Sequence, residues 1–410
     1  MKSVHPATGE TLAHYEAFTD AAVEAILAEA AAAQQGWART PFDVRRRVLL
    51  AAAEGLLASA EALAALMADE MGKRLDEGRA EVEKCAWVCR YYAEHGEAFL
   101  APEPVEADDY RESFVSFSPL GVVLAVMPWN FPLWQVFRFA APGLMAGNAG
   151  LLKHASNVSG CALAIERVWH EAGLPPALFS TLLLPGSRVA PVIESPHVAA
   201  VTLTGSTPAG RAVAACAGAA LKKTVLELGG SDPYVVLEDA DVDAAARVCA
   251  TSRLINAGQS CIAAKRFVVV DAVRARFEEA FTQAMRDAAG TLAPMARVDL
   301  RDELHDQVTR SVEAGARLLL GGEVPPGPGA FYPPTVLTDV RPGAAAYAEE
   351  LFGPVGAILP ARDEAEALRV ANDSAFGLGA AVFTRDVERG LRIAKEELNA
   401  GCCFVNDFVR

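Results

Sequence analysis

Three side chains stand apart in this chain by type and setting. Cys261 ends Gly258-Gln259-Ser260-Cys261, Glu227 sits in Leu226-Glu227-Leu228-Gly229-Gly230, and Asn130 lies inside Pro128-Trp129-Asn130-Phe131-Pro132. A thiol can add to an aldehyde carbonyl, a held amide can donate to the resulting oxyanion, and a carboxylate can activate the water that clears a thioester. That set would oxidise an aldehyde to an acid through a covalent intermediate, provided the rest of the chain supplies a hydride acceptor.

Each residue also has a plain structural reading. A lone cysteine is usually a small buried hydrophobe. Cys85 and Cys89, on one helix face, read that way, and Cys402 and Cys403 sit in a strand-like run. Cys261 differs because Asn256-Ala257-Gly258-Gln259-Ser260 is polar, flexible and glycine-containing, a loop able to present a thiol. None of the seven histidines lies in a recognisable partner motif. Glu227 is equally a salt-bridged carboxylate at a strand end or a base whose two following glycines permit close packing. Asn130 is a turn residue or a rigid donor between stiffening prolines.

For the acceptor there is no Gly-x-Gly-x-x-Gly fingerprint. Thr204-Gly205-Ser206-Thr207-Pro208 follows an apolar run and opens a helix, so Gly205 would allow close approach and Ser206 could donate to a phosphate. A helix cap explains Ser206 as well. Lys153 ends the run Leu151-Leu152 and reads either as a ribose or phosphate ligand or as a snorkelling surface lysine.

The elements that must position these residues follow from pattern. From Asp20 to about Leu100 the spacing is helical, with Pro41 starting a helix expected to run towards Asp69. Ser113 to Ser118 alternates like a half-exposed strand. Apolar runs then alternate with helical segments at Val122–Val126, Gly150–Leu152, Phe179–Leu184, Val198–Leu203 and Val225–Leu228. A second series includes Pro233–Leu237, Phe267–Val270, Val355–Leu359 and Ala381–Phe383. This predicts an α/β protein with mostly parallel sheets, a boundary at Gly229-Gly230, and motifs where strands end.

Size and charge set the limits. A chain of 410 residues exceeds one ordinary core, and its net charge of −15 argues against nucleic-acid or anionic-membrane partners. Phe131 to Leu152, the most apolar stretch, is interrupted by Arg138 and Pro142. Eight cysteines without an apolar N-terminal signal core read as reduced thiols in the cytoplasm. No metal site is expected.

In their order along the chain, the Trp-Asn, Lys, Gly-Ser, Glu-Leu-Gly-Gly and Gly-Gln-x-Cys elements resemble the aldehyde dehydrogenase superfamily. The resemblance implies Cys261 as nucleophile, Glu227 as general base, and Asn130 with the Cys261 backbone N–H as oxyanion donors. It places Trp129, Lys153, Ser156, Gly186, Gly205, Ser206 and the backbone of Leu228 along a dinucleotide, with Glu350 on the nicotinamide ribose and Phe352 against the ring. It further implies a Rossmann-like cofactor domain (1–106 and 120–228), an oligomerisation strand segment (107–119), an α/β catalytic domain (229–405) and a shortened C-terminal segment (406–410). A homo-oligomer, dimer or tetramer, is the expected assembly.

Two positions refine the expectation. Where NAD-preferring members often carry Glu, three residues after Lys153, this chain has Ser156, so NADP should be accepted without NAD being excluded. Arg138 interrupts an apolar helix and needs an anionic partner. A structural carboxylate would serve, but Arg138 also matches the arginine that binds the distal carboxylate in succinate-semialdehyde dehydrogenases. A small ω-oxo acid such as succinate semialdehyde is the expected substrate. A second arginine of some such enzymes, six residues before the nucleophile, is Ile255 here, with Arg253 out of register. The alternatives are a non-carboxylated aldehyde, or a catalytically incompetent scaffold lacking the family's C-terminal tail.

Overall fold

Four helices dominate the first hundred residues of the computed structural model, which describes residues 1–410: α1 (Asp20–Trp37), α2 (Phe42–Ala58), α3 (Ala60–Met71) and α4 (Leu75–Phe99). The Thr19 hydroxyl accepts from the Ala22 N–H at 3.2 Å and starts α1, satisfying an amide with no intrahelical partner. Gly72 ends α3 at φ +77°, where a side chain would be strained. The helix expected from Pro41 to Asp69 is two helices, bent by 70°. The break is at Ser59, which leaves helical geometry at φ −101°, ψ 9°. The alanine-rich stretches are packed helices: Ala52, Ala53 and Ala64 are wholly buried.

Strands β1 (Lys2–Val4) and β2 (Thr11–His14) pair antiparallel, as do β3 (Glu103–Pro104) and β4 (Phe114–Val115). The alternation from Ser113 to Ser118 thus yields only a two-residue strand. Both of its residues are exposed, so no buried face extends it.

Then comes a five-stranded parallel sheet: β5 (Val122–Met127), β6 (Ala149–His154), β7 (Phe179–Thr181), β8 (Ala200–Thr204) and β9 (Lys223–Glu227), in the order β7-β6-β5-β8-β9. Helices α5 (Trp134–Met145), α6 (Ser159–Glu171), α7 (Val189–Glu194) and α8 (Thr207–Ala219) alternate with the strands. β5 and β6 are buried almost throughout, as parallel strands covered on both faces are. β5 has β6 on one side and β8 on the other, so the strand order reverses there. Open α/β sheets bind ligands beyond the carboxyl ends of the strands at such a reversal.

The second sheet has seven strands: β10 (Pro233–Val236), β11 (Arg266–Val270), β12 (Arg317–Leu320), β13 (Thr335–Thr338), β14 (Val355–Ala361), β15 (Gly379–Phe383) and β16 (Cys402–Val405). Their order is β12-β13-β14-β11-β10-β15-β16, parallel except between β12 and β13. Side chains alternate across it: Val235, Val268 and Leu359 join one core, Tyr234, Phe267 and Ile358 the other. Helix α9 (Val242–Leu254) leads towards the Cys261 loop.

Two compact units result. One comprises Met1–His5 and Glu10–Leu228, the other Pro6–Gly9 and Gly229–Arg410. No single helix is long and apolar enough to cross a membrane.

Candidate active site

In the first unit the singled-out residues converge on one edge of the five-stranded sheet. The parallel register sets Met127 beside His154, Val126 beside Lys153 and Leu203, and Thr204 beside Glu227. Trp129 and Asn130 follow β5, Lys153 nearly ends β6, Gly205 and Ser206 follow β8, and Glu227 ends β9.

The Asn130 loop is held from several sides. Asn130 itself is only 4% exposed. Helix α5 has no capping side chain of its own. Instead Glu81 Oε1, from α4, accepts the N–H groups of Leu133 at 2.8 Å and Trp134 at 2.9 Å. The Lys73 ammonium pairs with Glu81 in a buried ion pair and lies 3.9 Å from the centroid of the Phe131 ring. From β6, His154 Nδ1 accepts from the Ala155 N–H at 2.9 Å, so Nε2 carries the proton and donates to Pro132 O at 2.9 Å. Burial lowers the His154 pKa to about 4 and keeps the ring neutral. An amide whose surroundings are fixed in advance stabilises developing charge without reorganising.

Residues suited to a dinucleotide share this edge. Lys153 is buried, its ammonium forms no ion pair within the chain, and burial lowers its pKa. An ammonium so placed fits an anionic or hydroxyl-rich ligand. Ser206 caps α8 by accepting from the Ala209 N–H at 3.4 Å, so the plain reading of Ser206 holds. Its bond is long; Pro208 has no N–H and the Gly210 N–H donates to Ser206 O at 2.9 Å, so the Thr207 N–H is what the first turn of α8 leaves for a phosphate. Gly205 N–H donates to Glu227 O at 2.9 Å, tying the two motifs together. Gly186 opens a short 3₁₀ turn with open space beside it, and Ser156 opens another. Leu228 lies against Gly210 of α8, where a Cβ would come within 2.3 Å of it.

Arg138 is on α5, partly buried, with Nη2 donating to Thr204 Oγ1 at 2.9 Å. Its partner in the chain is a hydroxyl, not the structural carboxylate that could have neutralised it.

In the second unit the motifs cluster at the other kind of edge, where strands begin. Gly229 and Gly230 precede β10, Cys261 precedes β11, and Glu350 and Phe352 precede β14. The expectation that all motifs sit where strands end holds for the first unit only. The Cys261 loop is also not a flexible one. Asn256, Ala257 and Gly258 all take left-handed backbone, at φ +53°, +54° and +78°. Two non-glycine residues there mark stored strain that the surroundings must enforce.

Buried cations provide that enforcement. Arg253, fully buried, donates to Gly258 O and, at 3.3 Å, to Leu351 O. Arg253 is therefore engaged by main chain. Lys265, also fully buried, donates to Ser260 O and Cys261 O at 2.9 Å each and to Ala263 O at 3.1 Å. Gln259 Oε1 accepts from the Ala296 N–H at 2.8 Å. Cys261 itself is half-buried.

The same lysine reaches Glu350. Lys265 Nζ lies 3.5 Å from Glu350 Oε1, which accepts from the Gly230 N–H at 3.0 Å. A Cβ on Gly230 would stand 2.5 Å from Cys261 O, and one on Gly229 would stand 2.4 Å from Glu350 Oε2. Glycine is thus required at Gly230, where the neighbour is main chain, whereas a side chain at Gly229 would displace the Glu350 carboxylate. Asp232 completes the cluster: burial pushes its carboxyl up to about 7 against the pull of Lys265, and its Oδ1 accepts from the Gly379 N–H at 3.2 Å.

Sequence reasoning passed over Lys73, Glu81, His154, Arg253, Asp232 and Lys265 as working parts. The signal for Lys265 was present, since adjacent cations Lys265-Arg266 lead directly into an apolar strand and must find buried acceptors. Glu81 gave none for its hold on α5, because the N–H groups it accepts, of Leu133 and Trp134, lie about fifty residues away.

The chain belongs to the aldehyde dehydrogenase family: the aldehyde dehydrogenase family model matches residues 1–410. Among its relatives, the succinate semialdehyde dehydrogenase [NAD(P)+] Sad of Escherichia coli is 46% identical over 99% of this chain and 89% of that protein. A probable succinate-semialdehyde dehydrogenase [NADP(+)] of Synechocystis is 45% identical over 100% of this chain and 92% of its own length. The fold matches the succinic semialdehyde dehydrogenase of Streptococcus pyogenes, solved with NADP+, at a TM-score of 0.97 and 35% identity, covering 100% of this chain and 91% of that one.

Proposed function

We propose that the protein oxidises succinate semialdehyde, or a similar small ω-oxo acid, to the carboxylic acid with NADP or NAD. The observation that carries the substrate is Arg138, a partly buried guanidinium whose one hydrogen-bond partner in the chain is the Thr204 hydroxyl and which meets no carboxylate there. Relatives at 45–46% identity bearing that activity in their names support the same reading.

Cys261 attacks the aldehyde carbon as the thiolate. Asn130 and the Cys261 backbone N–H donate to the oxyanion of the thiohemiacetal. Bound NAD(P) supplies the hydride acceptor. Glu227 then takes a proton from water as it attacks the thioester, and the acid departs as the thiol is restored. On this reading Trp129, Lys153, Ser156, Gly186, Gly205, Ser206, Leu228, Glu350 and Phe352 are the residues that hold the dinucleotide. On this assignment residues 1–106 and 120–228 bind cofactor, 229–405 carry the nucleophile, and 107–119 serve self-association.

Homo-oligomerisation is supported by exposed apolar surface on the first unit. Trp87, Tyr91, His95 and Phe99 form an aromatic ladder along α4, with Trp87 56% and Phe99 55% exposed. A cytoplasmic setting is supported by eight cysteines, none of them in a disulfide. The test of function is a panel of aldehydes with both cofactors. The highest kcat/KM should fall to succinate semialdehyde; a preference for uncharged aldehydes would reject the substrate, and strict NAD dependence would reject the reading of Ser156.

A further inference from the structure

One turn along α4 from the Glu81 anchor stands Lys84. Glu81 reaches the start of α5, and Lys84 sets its ammonium 4.4 Å from the centroid of the Trp134 ring, the first residue of that helix. Trp134 and Arg138 are four residues apart on α5, so their side chains are neighbours on one helix face. Lys84, the indole and Arg138 therefore follow one another over the same surface of the first unit.

The Glu81 carboxylate nearest Lys84 is already taken up by Lys73 and by the N–H groups of Leu133 and Trp134. Arg138 has the Thr204 hydroxyl, and Lys84 has the indole face; neither forms an ion pair with a carboxylate of the chain. Burial lowers the pKa of Lys84; Cys85 and the Glu81 carboxylate oppose that shift, and the Arg138 charge adds to it more weakly than either, which still places the two cations within electrical reach of each other. Elsewhere this chain pairs its cations readily, as Lys73 with Glu81 and Arg389 with Glu238 and Glu364. Two like charges left side by side are repulsive until an anion lies between them.

The second arginine of some succinate-semialdehyde enzymes is replaced by Ile255, and Arg253 is engaged by Gly258 and Leu351. No second cation for a carboxylate comes from that segment.

We propose that Lys84 is a specificity-determining residue, the second cation of the carboxylate subsite, gripping the distal carboxylate of the substrate together with Arg138. Trp134 is the apolar floor between them, holding Lys84 by its ring face. The proposal rests on the ω-oxo acid reading of the substrate. It predicts that selectivity for carboxylated over uncharged aldehydes is divided between two residues on different helices.

The experiment compares kcat/KM for succinate semialdehyde with that for butanal, an uncharged aldehyde of equal chain length, in wild type, Lys84→Met, Lys84→Arg and Arg138→Ala. Lys84→Met should lower the succinate semialdehyde/butanal ratio by about fivefold to twentyfold, and Lys84→Arg should recover most of it. The ratio also separates a subsite from misfolding, which would depress both substrates alike. A lowered ratio in Arg138→Ala with an unaltered ratio in Lys84→Met would overturn the role of Lys84 and leave the substrate reading intact. A wild type with no preference for succinate semialdehyde would overturn both.

Discussion

Ser156 concentrates the cofactor question in one side chain. It opens the short turn after β6, three residues beyond the buried Lys153, and carries no charge that would oppose a 2′-phosphate. Replacing it by glutamate places an anion where that phosphate would lie. Ser156→Glu should therefore raise the KM for NADP by about tenfold or more, roughly 1.4 kcal/mol at least, while NAD is affected far less. Steady-state kinetics with each cofactor reads this directly, and equal effects on both would place the ribose elsewhere. The close packing around such residues was partly legible in the sequence. Cys261, Glu227 and Asn130 sit in short motifs whose glycines and prolines already betray close approach and stiffness. The structure adds the reason at Gly230, where a Cβ would stand 2.5 Å from Cys261 O.

At the scale of elements, what positions those residues was not legible. The entry to α5 is held by Glu81 and Lys73 of another helix region and by His154 of β6, through contacts that no local pattern records. Glu81→Gln leaves the Lys73 ammonium buried without its counter-charge. It should cost about 3–5 kcal/mol of stability in denaturant unfolding and reduce kcat by loosening the Asn130 loop. His154 gives the same region a pH dependence. Its folded pKa of about 4 lies below its ordinary 6.5, so neutral His154 contributes stability above about 6.5 that is lost as pH falls towards 4. His154→Gln can still donate to Pro132 O and does not titrate. Its stability should decline less than wild type between those two values, measured by unfolding at each pH; parallel curves would contradict the assignment. The Cys261 loop shows a related limit of sequence reading. Its polar, glycine-bearing composition suggested flexibility, whereas buried Arg253 and Lys265 fix its carbonyls.

For the whole molecule, the alternation of apolar runs with helices was enough to reveal two α/β sheets, because parallel strands buried on both faces leave a strong pattern. Less was legible where burial does not shape the sequence: the exposed β3–β4 pair, and the break at Ser59 that divides one expected helix into α2 and α3. The central claim concerns the chain as a working whole, namely that Cys261 forms a thioester that Glu227 helps to hydrolyse. Rapid mixing of Glu227→Gln with succinate semialdehyde and NADP tests it most directly. The expected result is a burst of NADPH of about one equivalent per site, followed by turnover slowed by about a hundredfold or more, and no burst at all in Cys261→Ala. Full turnover by Cys261→Ala, or loss of the burst with Glu227→Gln while Cys261 remains reactive, would contradict it.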